Sequence, residues 1–111
     1  MLDWADYRAR LMDKIGDLGT LSPDTVSGYM TASGAGAKSS HLDAKTRELI
    51  SLAVAVTTRC DGCISVHAGN AIEHGATREE LAEALGVAVA MNAGAALVYS
   101  ARALDAFDAL S

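Results

Sequence analysis

Residues 44–57, AKTRELISLAVAVT, decide the fold class of this chain, because the second half of the stretch is almost entirely apolar. Taken alone, the run from Leu49 to Val56 would also suit a buried β-strand. Its length and the helical signals on both sides favour a buried helix, for which Asp43 is a suitable N-cap. No segment alternates apolar and polar residues for long, so we expect an all-α fold.

The N-terminal third also predicts helices. Apolar side chains recur at three- and four-residue spacing over residues 4–15, as on an amphipathic helix. Pro23 directly after Ser22 indicates the start of a second, short helix that ends near Ser33. The segment SGAGAKSSH at 33–41 is rich in Gly, Ala and Ser, which predicts a flexible loop.

Two capping boxes predict where the following helices begin. The first, TRCD at 58–61, starts a helix that runs to about His74, where Gly75 supplies the C-terminal stop. The second, TREE at 77–80, starts a helix that we expect Gly94 to break or kink before a final helix. The chain should therefore form one compact domain, residues 1–111, as a bundle of five to six helices.

The composition suggests that this domain associates with copies of itself. Of the 111 residues, half are apolar, but much of that share is alanine and only five residues are aromatic. Thin, Ala-rich helices approach closely and offer little core volume, and a chain of this length buries only about two thirds of its unfolded surface. A homo-oligomer is therefore expected.

Charge and hydropathy exclude other classes of protein. The net charge is −5 and no basic cluster is present, so nucleic acid and anionic membranes are not expected partners. The N-terminal residues show no basic segment followed by an apolar one, as a signal peptide would. The most apolar stretch, 86–101, has 16 residues, fewer than the roughly 20 of a membrane span. We expect a soluble cytoplasmic protein.

The chemistry-bearing residues lie on and beside the helix that begins near residue 58. Cys60, Cys63 and His67 are spaced by three and four residues, so they share one helix face. A cysteine in the first helical turn is favoured as a thiolate, and His67 is placed to take a proton from Cys63. If the preceding helix folds back near Thr57, Glu48 approaches His67 and can orient it. The spacing thus predicts a Glu–His–Cys relay with a second cysteine beside it.

Other interpretations of these residues stay open. Both cysteines could be small buried apolar residues, or the chain could be a non-catalytic helical assembly module. Cys60, Cys63, His67 and His74 could be written as a zinc set, but His74 lies about 16 Å from Cys63 along a helix, too far for one ion. A metal site that uses Glu48 and a water remains possible. The spacing also leaves open which sulfur reacts first, although His67 favours Cys63.

The combined pattern resembles the AhpD-like branch of the carboxymuconolactone decarboxylase family. It comprises Glu48, then Cys60-x-x-Cys63 and His67, within a longer match over residues 42–104. The resemblance implies an all-helical fold, assembly into trimers or hexamers, and cysteine-dependent reduction of hydroperoxides or disulfides. It implies that Cys60 and Cys63 are the redox pair, that His67 and Glu48 relay protons, and that an external dithiol replaces any bound cofactor.

Two features separate this chain from parts of that family. The hydroperoxide-reducing type often has a histidine inside its Cys-x-x-Cys, where this chain has Asp61 and Gly62. The lactone decarboxylases of the family lack the cysteine pair. Its presence here argues against decarboxylation, and the identity of the peroxide, disulfide and electron donor is left open.

Overall fold

The computed structural model describes all 111 residues and contains five helices and no strand. The prediction of an all-α fold is confirmed. The helices are α1 (Trp4–Leu21), α2 (Pro23–Ser39), α3 (Ala44–Thr58), α4 (Asp61–Glu73) and α5 (Arg78–Leu110).

Two of the predicted helix starts are present with their capping hydrogen bonds. At α3 the carboxylate of Asp43 accepts from the backbone N–H of Thr46 at 2.7 Å. At α5 Thr77 and Glu80 form a complete capping box, in which each side chain accepts from the other residue's backbone N–H. The stop after α4 is present as well, since Gly75 has a φ of +80° that suits glycine.

The predicted start of α4 at Thr58 is wrong. The Thr58 hydroxyl bonds back to the carbonyl oxygens of Val54 and Ala55, so it serves the end of α3. Arg59 is left-handed, with a φ of 54°, and ends α3. Cys60 is the N-cap of α4, which begins at Asp61.

Two predicted interruptions are also absent. The segment predicted as a loop is helical up to Ser39, because alanine supports the helix and Gly36 lets it pass closely over Arg47. A Cβ on Gly36 would lie 2.9 Å from Cδ of Arg47. Helix α5 runs through Gly94 without a break, because a long Ala-rich helix tolerates the cost of about 1 kcal/mol for one glycine.

The helices pack in the order α5, α3, α4, α1, α2. Helix α3 packs against α4 on one side and α5 on the other, while α1 packs against α4 and α2. Only five residues are buried, and they are small except for Leu52. Small side chains bring the helix axes close together, but they leave much apolar surface in contact with solvent.

Much of that surface lies on α5. From Ala95 to the C-terminus every residue is exposed, including Leu97, Tyr99 and Phe107. By length and composition alone, α5 would suffice to cross a membrane, and almost none of its apolar stretch is buried within the chain. The 16-residue stretch measured from the sequence therefore belongs to a much longer helix.

Candidate functional site

The two cysteines lie at the start of α4 and form a disulfide, with 5.2 Å between their Cα atoms. Cys60 has an extended backbone conformation at the N-cap, and its Sγ accepts from the backbone N–H of Cys63 at 3.1 Å. The unpaired N–H groups at a helix start favour negative charge. After reduction, a thiolate at Cys60 would therefore be stabilised by the same N–H groups.

Glu48 and His67 meet between α3 and α4. The Oε2 atom of Glu48 lies 2.6 Å from Nδ1 of His67, and the two side chains are only 17% and 21% exposed. This contact requires α3 and α4 to be antiparallel, as the folding back near Thr57 predicted. When Nδ1 donates to the carboxylate, the lone pair of the imidazole is on Nε2, which is the atom able to accept a proton.

The disulfide and the Glu48–His67 pair line one cavity of about 1070 Å³. Its opposite wall comes from α1 and α2 and is apolar, with Leu11, Met12, Ile15, Tyr29 and Met30. A partly enclosed apolar cavity with a few polar groups on one wall is the usual form of a small-molecule site. The four residues singled out from the sequence are thus brought to a place that a ligand can enter.

Gly62, between the cysteines, has a role that the spacing rules did not reveal. A Cβ at this position would lie 2.8 Å from Cδ2 of Leu11 and 3.9 Å from the hydroxyl of Tyr7. The missing side chain therefore lets α1 lie directly over the start of α4. A glycine between two cysteines at a helix start is the only sequence signal for this packing.

The remaining histidines lie apart from the Glu48–His67 contact. His74 is the C-cap of α4, is exposed, and lines the far end of the same cavity. His41 is exposed in the turn between α2 and α3. No group of three or more His, Cys, Asp or Glu side chains is arranged to hold a metal ion.

An ion pair and a capping carboxylate fix the start of α3. Lys45 and Glu80 form an ion pair of 2.7 Å that joins the start of α3 to the start of α5. The hydrogen bond to Glu80 raises the pKa of Lys45, and the same bond lowers the pKa of Glu80. Hydrogen bonds from Thr46 hold the pKa of Asp43 below its usual value.

One side-chain contact to α5 was also missed from the sequence. The amide nitrogen of Asn92 donates to Oγ1 of Thr57 at 2.9 Å and to the carbonyl oxygen of Ala88 at 2.7 Å. Asn92 interrupts an apolar stretch, and the structure accounts for it as a link between α5 and the end of α3. This link lies next to the turn that carries Cys60.

Comparison with known proteins identifies the relatives of this chain. A model of the carboxymuconolactone decarboxylase family matches residues 23–106. An uncharacterized protein of Haemophilus influenzae is 50% identical over 105 residues, which cover 95% of this chain and 93% of that protein. An uncharacterized protein of Cupriavidus necator is 37% identical over 109 residues, 96% of each chain.

A solved structure agrees with these matches. The crystal structure of an apo carboxymuconolactone decarboxylase family protein from Legionella pneumophila superposes on this chain with a TM-score of 0.75. The two sequences are 37% identical, and the match covers 95% of this chain and 94% of the other.

Proposed function

The chain belongs to the carboxymuconolactone decarboxylase family, and we propose that it is an AhpD-like thiol-dependent oxidoreductase that reduces hydroperoxides or disulfides. One observation carries the proposal. A bonded Cys60–Cys63 pair and the Glu48–His67 contact open on the same cavity. A close cysteine pair, a base and a carboxylate that orients the base are the groups that thiol catalysis requires.

In the oxidative half of the cycle, Cys63 attacks a hydroperoxide. His67 accepts the thiol proton of Cys63, and Glu48 stabilises the imidazolium that forms. The thiolate takes the terminal oxygen of ROOH, the O–O bond breaks, and the alkoxide leaves with a proton from His67 as ROH. Cys63 is now a sulfenic acid. The Cys60 thiol condenses with it, which forms the disulfide and releases water.

In the reductive half, an external dithiol restores the pair. One donor thiolate attacks a sulfur of the Cys60–Cys63 disulfide, and the other cysteine leaves as a thiolate. Cys60 is suited to leave, because its sulfur lies against the N–H of Cys63 at the helix start. The second donor thiol then releases the mixed disulfide, so the donor ends as a disulfide and both cysteines are thiols. No bound cofactor takes part in this scheme.

The assignment of the two sulfurs is tested by trapping. The Cys60→Ser variant should accumulate a sulfenic acid on Cys63 after one equivalent of peroxide, and a sulfenic-acid reagent with mass spectrometry would detect it. The Cys63→Ser variant is the matched control and should show no adduct on Cys60. An adduct on Cys60 alone would reverse the assignment.

The function itself is tested by turnover. Purified protein with a dithiol donor should reduce hydrogen peroxide, cumene hydroperoxide or a small disulfide, and the variant with both cysteines changed to serine should not. Equal turnover by that variant would contradict thiol catalysis and favour the non-catalytic assembly module. Stoichiometric zinc in tag-free protein would favour the metal-binding interpretation instead.

We also propose that the protein works as a homo-oligomer, a trimer or a hexamer, in the cytoplasm. The oligomer is supported by the apolar surface of α5, where Leu97, Tyr99 and Phe107 are 74%, 68% and 72% exposed. An exposed apolar surface that extends along a helix in this way usually marks an interface. Native mass spectrometry should find trimers or hexamers, and Phe107→Ser should shift the protein towards monomers. A monomeric wild-type protein would contradict the proposal.

A further inference from the structure

The Glu48–His67 contact sets which groups lie at each end of the cavity. Because α3 and α4 are antiparallel there, the first turn of α3 lies beside the second half of α4. Arg47, Asn70 and His74 therefore line the end of the cavity away from the disulfide. Cys63 and Asn70 are seven residues apart on one helix, which corresponds to about 10 Å.

This far end is rich in unused hydrogen-bond donors. Arg47 is half-buried, takes part in none of the ion pairs, and donates one side-chain hydrogen bond, to the carbonyl oxygen of Leu42. The side-chain amide of Asn70 is half-buried and has no hydrogen-bond partner within the chain. The pKa of Asp43 is lowered first by its hydrogen bonds from Thr46 and further by the charge of Arg47, but the Asp43 carboxylate forms no ion pair with Arg47.

The wall between this end and the disulfide is apolar. Met12 and Ile15 of α1 and Tyr29 and Met30 of α2 face the cavity. An aliphatic chain laid against them would leave water, at a gain of about 0.8 kcal/mol for each buried CH₂ group. A guanidinium, for its part, forms paired, charge-assisted hydrogen bonds with a carboxylate.

We infer that the cavity binds an amphipathic carboxylate, with its apolar chain along α1 and α2 and its carboxylate on Arg47 and Asn70. This inference rests on the proposed function for its chemical meaning: the substrate would be an organic hydroperoxide whose reactive group lies about 10 Å from its carboxylate. The chain has a net charge of −5, so a simple anion is not drawn to the protein by its overall field. Selection has to come from Arg47 and the apolar wall together.

Binding is tested on the oxidised protein, in which no thiol chemistry can occur. Isothermal titration calorimetry would compare octanoate, octanol and acetate. Octanoate should bind at least tenfold more tightly than either of the others, since only octanoate has both the chain and the charge. Equal affinity for octanoate and octanol would overturn the role of Arg47, and equal affinity for octanoate and acetate would overturn the role of the apolar wall.

Variants separate recognition from structural support. Arg47→Gln should remove the tenfold preference for octanoate over octanol, whereas Arg78→Gln should keep it. Arg78 is exposed at the start of α5, so this control loses the same charge away from the cavity. If Arg47 only ties α3 to Leu42, Arg47→Gln will lower the melting temperature and keep the preference, which would overturn the inference.

A second variant covers the case in which Arg47→Gln does not fold. Asn70→Asp keeps the size of the side chain and adds a negative charge, so it should weaken octanoate at least tenfold and leave octanol unchanged. An unchanged affinity for octanoate would overturn the inference.

Turnover distinguishes this inference from the proposed function. Linoleic acid hydroperoxide should show a kcat/KM at least tenfold above that of its methyl ester. Reduction of both at equal rates would overturn the inference and leave the proposed function standing. Selective octanoate binding without reduction of either hydroperoxide would support the carboxylate site and contradict the peroxidase activity.

Discussion

The contact between Glu48 and His67 makes a quantitative prediction about the rate of peroxide reduction. The change is Glu48→Gln, which keeps the shape of the side chain and its hydrogen bond but removes the negative charge. A hydrogen bond to a charged group contributes about 1.5–3 kcal/mol, against about 0.5–1.5 kcal/mol for a neutral one. Because the two side chains are 17% and 21% exposed, solvent screens the charge only in part.

The expected loss is therefore about 1.4 kcal/mol of stabilisation for the imidazolium that forms as Cys63 loses its proton, which is roughly tenfold in rate. The assay is stopped-flow peroxide consumption by reduced protein in a single turnover, with the rate of iodoacetamide alkylation at Cys63, followed by mass spectrometry, as a second readout. Both rates should fall together, since both depend on the Cys63 thiolate.

The matched control is Glu73→Gln, on α4, the helix that carries His67. Glu73 is exposed and lies away from the disulfide cavity, so this variant should react at the wild-type rate. A Glu48→Gln protein that is folded by circular dichroism and reacts within twofold of wild type would refute the relay. An equal loss in Glu73→Gln would show that overall charge, and not the contact with His67, sets the rate.

Three further predictions concern stability. Leu52→Ala should lower the free energy of unfolding by about 3 kcal/mol in urea titrations, since Leu52 is the largest buried side chain and its removal leaves a cavity. Gly62→Ala should cost about 1 kcal/mol, because its Cβ would meet Cδ2 of Leu11, and the added Leu11→Ala change should make the glycine substitution nearly neutral. Lys45→Gln should lower the melting temperature at pH 7. The difference in melting temperature should persist above the Glu80 pKa of 4.5 that the unfolded chain has, and should disappear as the pH falls from there through the lowered pKa of the folded protein. Protonated Glu80 no longer attracts Lys45.

Each stability prediction has a control within the chain. Val54→Ala removes a side chain that is 55% exposed on the same helix as Leu52, so its cost should be under 1 kcal/mol. Gly16→Ala should stabilise the protein by about 0.5–1 kcal/mol, because a Cβ there meets no atom within 4 Å. Lys14→Gln breaks an exposed pair with Asp17 and should leave the melting temperature unchanged. If these controls changed stability as much as the test variants, the contacts described above would not be the cause.

Much of the fold could be predicted because the signals for it are local. A capping box such as Thr77 with Glu80 involves residues three apart, and the helical period of α3 repeats every few residues. The Glu48–His67 contact was also accessible, since two helices joined by a short turn must be antiparallel. Glu48 lies nine residues before Thr57 and His67 lies nine residues after Thr58, so antiparallel helices bring the two side chains to the same level.

The errors arose where one residue has two possible partners. Thr58 can cap a following helix or bond back to the turn before it, and its sequence neighbours do not distinguish the two. In the structure Thr58 bonds back to Val54. The neighbouring Thr57 accepts from Asn92 of α5, so the end of α3 is held against α5. As a result, α4 begins two residues later than the capping box predicted, with Cys60 and not Thr58 as its N-cap.

The order of residues by itself determined the helical class, the caps of α3 and α5, and the common face of Cys63 and His67 on α4. These features depend on contacts within about one or two helical turns, which the spacing of residues describes completely. Only the tertiary structure decided that α1 and α2 supply the apolar wall opposite the disulfide, that Arg47 lies at its far end, and that half of α5 stays uncovered. Such contacts join residues far apart in the chain, and their free energies come from the close packing of whole helices.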